Sequence, residues 1–472
     1  MRAVGLIAAA CAVLAGCAPA ARVGSMPPKV ALPAGWSAGE TAQARAWPDR
    51  DWWSSFGSAE LSGMVESGQA GNLELAAALA RLRQAEGQAR IAGVALLPTV
   101  DFYSGSDRSL PLGSGSTSTS ASGQLHIAYE VDFWGKNKAS VAAAAASLEG
   151  NRDDRQTIEL TVTSAIVSTY LQVLSLHDRL ASARAHVANA EHVLKLVQAQ
   201  RSAGAASPLD LARQRSVVAG QQAAIPELLQ QQREAQSALA ILLGRAPQTF
   251  KVADHGLDTI SLPHVTPGLP SELLARRPDI RRAEASLAEA DANVDVARAA
   301  LFPTIRLTGA LGAQSSALLS LLNAPNLVAN VSASLMTPIF DAGRLKRERD
   351  IAIARKQELV QVYRAAVLGA LAEVGIVLGQ IHSLDEQRKL KTVELEEAKL
   401  AFDLAEIRYR VGAEDLMTVL DTQRALSDVQ NDLGLLKLKR LQATVSLYKA
   451  LGGGWQADAV AGAAAGGAPR PG

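Results

Sequence analysis

The chain is written twice, and that restricts its possible folds more than any single motif does. Residues 80–102 (ARLRQAEGQARIAGVALLPTVDF) align with 285–307 (ASLAEADANVDVARAALFPTIRL) at an offset of 205, with eight of 23 positions identical. Further on the offset becomes 208 and stays there. It pairs Gly135-Lys136 with Gly343-Arg344, Gly204 with Gly412, and Leu243-Gly244 with Leu451-Gly452. Each half is therefore one structural unit. The three-residue drift falls between the Pro-Thr and the Gly-Lys/Arg marks, where a loop is expected.

Within each unit the hydrophobic period changes in the same order. A helical stretch ends at Leu97, or Phe302 in the second half, just before Pro98 and Pro303, residues that helices avoid internally. Residues 99–103 and 304–308 read as strands. The Ser/Gly-rich run 104–123 and residues 313–326 read as loops, and 126–133 and 327–335 as returning strands. One hairpin per half, with strands of roughly ten residues, suits an outer-membrane barrel.

Long helices follow. Lys138 to Arg201 and Arg344 to Val411 contain no proline, and each is expected to run about 100 Å. Leu176, Leu180, Ala183, Val187, Ala190, Leu194 and Val197 form a heptad seam. Leu390, Val393, Leu400, Leu404, Ile407 and Val411 form a similar one, interrupted by Glu397. Gly204 and Gly412 mark turns, and the returning helices run to Leu243 and Leu451. Pro226 is expected to interrupt the first of them. Such helices cannot bury both faces within one chain, so the unit must oligomerise or wrap around itself. The apolar stretch 365–381 contains Glu373 and Gln380, and reads as buried helical interior rather than as a membrane span.

Before the repeats stands an address. Arg2, a short apolar run and Leu14-Ala-Gly-Cys17 resemble a bacterial lipoprotein signal in which Cys17 becomes the acylated N-terminus. Residue 18 is Ala rather than Asp, which favours the outer membrane. Cleavage removes Cys11, so no disulfide is possible. The expected organisation is signal peptide 1–16, lipidated tether 17–46, first repeat 47–244, linker 245–270, second repeat 271–455 and disordered tail 456–472.

Composition and motifs exclude other classes. With 47 Lys+Arg against 46 Asp+Glu, the chain lacks the footprint of a nucleic-acid binder. The seven histidines include no His-x-x-x-His pair or Cys/His cluster, so no metal site is expected. Gly35-Trp-Ser-Ala-Gly39 has the nucleophile-elbow letters without the strand and helix that motif requires. Ser446-Leu-Tyr-Lys449 stands alone on a helix. No phosphate-binding glycine loop occurs, so neither enzyme activity nor a cofactor is expected. The polar candidates lie near the glycine turns: Asp210 in one half, and Tyr409, Arg410, Asp415 and Asp421 in the other. Asp415 and Ser207 read as helix caps. Asp421 lies inside the returning helix among Leu416, Met417, Val419 and Leu420.

These residues resemble the outer membrane efflux protein family, in its lipoprotein branch of drug-efflux outer membrane factors. The resemblance is carried by Leu14-Ala-Gly-Cys17, Trp52-Trp-Ser-Ser-Phe56, Leu96-Leu-Pro-Thr99, Asp132-Phe-Trp-Gly-Lys136, Leu269-Pro-Ser-Glu-Leu-Leu-Ala-Arg-Arg-Pro-Asp-Ile-Arg281 and Pro338-Ile-Phe-Asp-Ala-Gly-Arg344. It implies a mixed α and β fold and a homotrimer. Each protomer would give four strands to one transmembrane β-barrel and long helices to a periplasmic α-helical barrel, with an equatorial collar. It implies a passive exit duct in a Gram-negative outer membrane, coupled to a periplasmic adaptor (membrane fusion protein) and an inner-membrane pump. By position, Asp421 matches the family's pore-facing aspartate, and Tyr409, Arg410 and Asp210 match residues that hold the periplasmic tip closed. A second aspartate found in some members is Thr418 here, which implies a single acidic ring and a weaker cation block.

The alternative within this class is a duct for protein or peptide secretion; the lipobox and the Arg-Arg-Pro-Asp segment favour efflux. A periplasmic adaptor would show one helical hairpin flanked by lipoyl-like β segments. A structural coiled-coil lipoprotein would not need two strand hairpins.

Overall fold

The computed structural model describes residues 31–33, 35–36, 48–110, 112–113, 117–263, 265, 268–316 and 327–454. Cys17, the signal, most of the tether and the tail expected over 456–472 lie outside the described residues. After a short 3-10 turn, Trp52–Phe56, come helices α1 (Ala59–Gly71) and α2 (Leu73–Val94), strands β1 (Thr99–Ser109) and β2 (Ser118–Val131), and helices α3 (Lys136–Ser202) and α4 (Pro208–Leu242). From α2 onward the second half repeats the order, with α5 (Pro278–Ala299), β3 (Thr304–Ser315), β4 (Leu327–Met336), α6 (Arg344–Arg410) and α7 (Leu416–Ala450), while only a four-residue helical turn, Leu273–Arg276, stands where the first half has α1. Both long helices have 67 residues and both returning helices have 35. The duplication thus holds at the level of whole elements.

Two compact units cut across this repeat, each taking material from both halves. One contains Arg81–Arg152 and Arg282–Ala365, and with them the sheet. Its order is β1-β2-β3-β4, antiparallel throughout. The central β2–β3 ladder joins the two halves, pairing Ala128 with Thr308 and Leu125 with Leu311. The hairpins differ as the offset drift requires: eight residues separate Ser109 from Ser118, and eleven separate Ser315 from Leu327.

The strands reach further than their side chains suggest. Ser104 to Ser109 and Ser118 to Gly123, read from sequence as loop, are paired in register, and so is Ala313 of β3. Serine and glycine have poor strand propensity, but a ladder needs only their backbone groups, and the apolar pairs nearer the helices fix the register.

The other unit contains Ala31–Ala80, Asp153–Arg281 and Ala366–Gly472. Its main core sets Trp52, Phe56 and Leu61 against Ile166, Tyr170, Leu171 and Leu174 of α3, Leu239 of α4 and Tyr448 of α7. The Trp52 ring stacks on Tyr448 with centroids 4.7 Å apart. A second cluster joins Val193 and Val197 of α3, Leu211 of α4, Phe402, Ala405 and Tyr409 of α6, and Leu416, Val419 and Val429 of α7.

Two expectations about the helices need correction. Pro226 does not interrupt α4, which runs unbroken from Pro208 to Leu242. The missing N–H removes one ladder bond, while Ile225, Leu228 and Leu229 on either side pack against the main core and hold the segment helical. The first heptad seam is largely buried, at Leu176, Leu180, Ala183, Ala190 and Val197. The second is not: Leu390, Val393, Leu400, Leu404, Ile407 and Val411 are 51–73% exposed. A different stripe, Leu395, Ala398, Phe402, Ala405 and Tyr409, packs inside the chain. It also steps by 3,4,3,4, and it carries two aromatic side chains, each able to bury more area than one aliphatic side chain. Both α3 and α6 contain windows apolar enough to cross a membrane by composition. Within 365–381, Val367, Ala370, Val374, Val377 and Leu378 are buried, while Leu368 and Ile376 are exposed.

Candidate functional site

The two helix turns that carry the polar candidates are built alike. Helix α3 ends when Gly204 takes φ +76°, and α6 ends when Gly412 takes φ +77°. This left-handed conformation is strained for residues with a Cβ. In both turns the glycine N–H donates three residues back, to the carbonyls of Arg201 and Tyr409, and the next N–H donates five residues back, to Gln200 and Arg408. That double bond pattern is the Schellman stop. The next helix then starts at a capped position, Ser207 or Asp415, again 208 residues apart.

Asp210 belongs to a capping box: it accepts from the Ser207 N–H at 2.9 Å and from its hydroxyl at 2.7 Å, while the Asp210 N–H donates to Ser207 Oγ. Those Ser207 donors hold the Asp210 carboxyl below its ordinary pKa. Asp415 accepts from the Thr418 N–H and hydroxyl, both at 2.9 Å, which lowers its pKa in the same way. Ser207 and Asp415 are caps, as read from sequence. Tyr409 is buried in the second cluster. Burial, and then the Asp210 charge, push its phenol upward. Arg410 donates to Glu406 Oε1 at 2.6 Å, one turn back on its own helix.

The hairpins α3–α4 and α6–α7 are linked by other groups. Gln200 Nε2 donates to the Tyr409 carbonyl at 3.2 Å, and His192 Nε2 lies 3.3 Å from the same Glu406 oxygen that Arg410 holds. Within the first hairpin, fully buried Gln214 of α4 donates to the Ala190 carbonyl of α3 at 2.7 Å. Asp421 is exposed, on the side of α7 away from buried Leu416 and Val419, and has no ion-pair partner among the described residues. The structure thus brings Tyr409 close to Asp210's field, gives Arg410 a partner in its own helix, and leaves Asp421 facing outward.

The sheet has two chemically different faces. Side chains alternate along each strand, and the register aligns Val100 and Phe102 with Leu125 and Ile127, and then with Leu311 and Val331. Tyr129, Leu307 and Leu335 continue this apolar face. The other face carries Asp101, Gln124, His126, Glu130, Arg306, Thr308, Asn330 and Ser332. Thr308 and Ser332 hydroxyls lie 2.6 Å apart, and Lys136 Nζ reaches Glu130 Oε1 at 3.1 Å. One face suits hydrocarbon and the other water, the alternation expected of a transmembrane barrel strand. Among the described residues no three His, Cys, Asp or Glu side chains form a metal-binding group.

Sequence reasoning missed one polar centre. Arg277 clamps Asp279 with two bonds, at 3.0 and 2.7 Å, and donates to Glu373 of α6 at 2.7 Å and to the Ala450 carbonyl ending α7 at 2.8 Å. Burial opposes both charges, yet Arg277 still holds Asp279 below the usual carboxylate value and is itself held above its own. The Arg-Arg-Pro-Asp letters signalled a special segment, but no spacing rule links Arg277 to a residue 96 positions away.

Comparison with known proteins agrees with this geometry. The family model described as outer membrane efflux protein matches residues 65–245 and 269–453. The pyoverdine export outer membrane protein OpmQ of Pseudomonas aeruginosa is 43% identical over 464 residues, covering 95% of this chain and 96% of its own. OpmQ of Pseudomonas putida is 43% identical over 440 residues, covering 91% and 93%. The solved outer-membrane channel OprN superposes with a TM-score of 0.87 at 27% identity, over 91% of this chain and 98% of OprN. A doubled strand-and-helix unit, a sheet with one face for lipid and one for water, and relatives matched along nearly their whole length lead to one assignment: the chain belongs to the outer membrane efflux protein family and is an outer membrane efflux channel.

Proposed function

We propose that this channel is the passive exit duct of a tripartite system. It works as a homotrimer, docked to a periplasmic adaptor and an inner-membrane pump that supplies the energy, and it is held in the outer membrane by acylated Cys17 as well as by its barrel. The observation that carries this reading is the sheet's open margins. Strands β1 and β4, of 11 and 10 residues, are edge strands paired on one side only. Long unpaired edges invite association, and hydrocarbon tolerates none. Pairing β1 of one copy with β4 of the next closes a barrel of roughly 12 strands, within the range of such barrels. The exposed α6 seam asks for a neighbouring copy in the same way.

The cargo class we assign is small organic molecules. The 43% identical relatives are named for pyoverdine export, and this chain shows no motif that argues for a protein cargo. Residues 47–244 and 271–455 act as the two structural repeats around the linker 245–270. Asp421 lines the tip as a single acidic ring, with Tyr409, Arg410 and Asp210 stabilising the closed arrangement of the helix hairpins.

Two measurements test this. Light scattering of the detergent-purified protein should give three copies per particle; a monomer refutes the trimer. A strain lacking the gene should retain a fluorescent dye or siderophore cargo and export it again on complementation. Normal small-molecule export in that strain, with a secreted protein missing from the medium, would replace this reading with the protein duct.

A further inference from the structure

The hairpins are almost free of charge, so the few charges present decide what the polar face favours. The strands contain five charged residues: Asp101, Asp107, Arg108, Glu130 and Arg306. The connecting segments 110–117 and 316–326 contain none. By alternation Arg108 falls on the apolar face and the other four on the polar face. Glu130 is matched twice, by Lys136 at 3.1 Å and by Arg306 directly across the ladder. Asp101 and Asp107 stand opposite His126 and Ser120, and neither has an ion-pair partner among the described residues. The stretch of polar face beyond the Glu130 layer therefore carries two unbalanced carboxylates per chain, with a histidine as its one basic side chain.

We propose that Asp101 and Asp107 set the charge preference of the barrel, making it a cation-favouring filter separate from the Asp421 ring. This rests on the reading that the polar face lines the conduit of a trimer. Three copies place six unbalanced carboxylates around one aqueous passage walled by low-dielectric sheet and lipid. Such walls focus the field of lining charges, and rings of carboxylates favour cations. The Glu130, Lys136 and Arg306 layer has the opposite local sign, one net positive charge per chain, so it cannot be the source of a cation preference. Small cations and neutral solutes pass the outer stretch most readily, and compact anions are retarded there.

The test uses the full-length protein in planar bilayers under a potassium chloride gradient, with the reversal potential read for each variant. Asp421→Asn should keep a preference for potassium over chloride. Adding Asp101→Asn and Asp107→Asn should then lower the permeability ratio by about twofold or more, the scale expected of a lining potential of order kT. Arg306→Gln should raise it. A ratio unchanged by the paired asparagine variants, or a preference abolished by Asp421→Asn alone, overturns the proposal. Thiol labelling separates that failure from failure of the conduit reading. In liposomes, Asp101→Cys should react with a membrane-impermeant reagent while Val100→Cys should not. The reverse pattern refutes both readings, whereas the expected pattern with an unmoved reversal potential refutes the charge filter alone.

Discussion

Arg277 does at the scale of one residue what several apolar contacts do elsewhere. Its guanidinium is largely buried and spends its donors on Asp279, Glu373 and the end of α7. Replacing it with Ala leaves two carboxylates facing each other without a cation, and should cost about 2 kcal/mol, below the value for fully buried pairs because both acids are partly exposed. Thermal unfolding followed by circular dichroism measures it, and Arg277→Lys should recover only part, since an ammonium cannot reproduce the two-pronged contact. The same clamp gives a pH dependence. Asp279 has its folded pKa depressed below 3.8, so its contribution is complete above that value and fades as pH falls through the lower, folded one. Melting temperature should therefore drop as pH is lowered below about 4, with a shallower drop in Asp279→Asn. Sequence reading singled out Asp210, Tyr409, Arg410 and Asp421 as candidates because each lies within ten residues of a punctuating glycine. It missed Arg277 because partners distant in the chain leave no local pattern.

Elements were more legible than residues. Glycines and prolines at fixed offsets gave the order and ends of the long helices to within two residues, since turn chemistry is local. Strand length was less legible, because Ser104 to Ser109 and Ser118 to Gly123 pair through backbone groups that carry no residue signature. Pro226 was misjudged for a related reason: propensity describes a lone helix, while packing by Ile225, Leu228 and Leu229 is tertiary. A proline tolerated in this way still forgoes a hydrogen bond. Pro226→Ala should raise stability by about 2 kcal/mol, the helix-interior penalty less the entropy that proline removes from the unfolded chain. Chemical denaturation should show the midpoint rising with an unchanged slope. A lowered midpoint would mean that the proline ring itself packs in the core.

At the scale of the whole molecule, the two apolar stripes of α6 separate folding from assembly. Phe402 and Tyr409 serve the chain's own core, while Leu400 and Leu404, 53% and 51% exposed, are left for a neighbour. Leu400→Glu with Leu404→Glu should leave helical content unchanged and lower the trimer fraction by tenfold or more, from roughly 2 kcal/mol of lost burial per buried leucine; sedimentation in detergent reports both species. Two such stripes on one helix explain why the heptad pattern was readable from sequence while the surface each stripe packs against was not. The duplicated caps have a further consequence. Six residues past Ser207 stands Arg213, and six past Asp415 stands Asp421. In the proposed trimer the two helix hairpins of each chain make six, alike in backbone. In charge that ring is only threefold, because Arg213 of one hairpin and Asp421 of the other occupy equivalent positions with opposite sign.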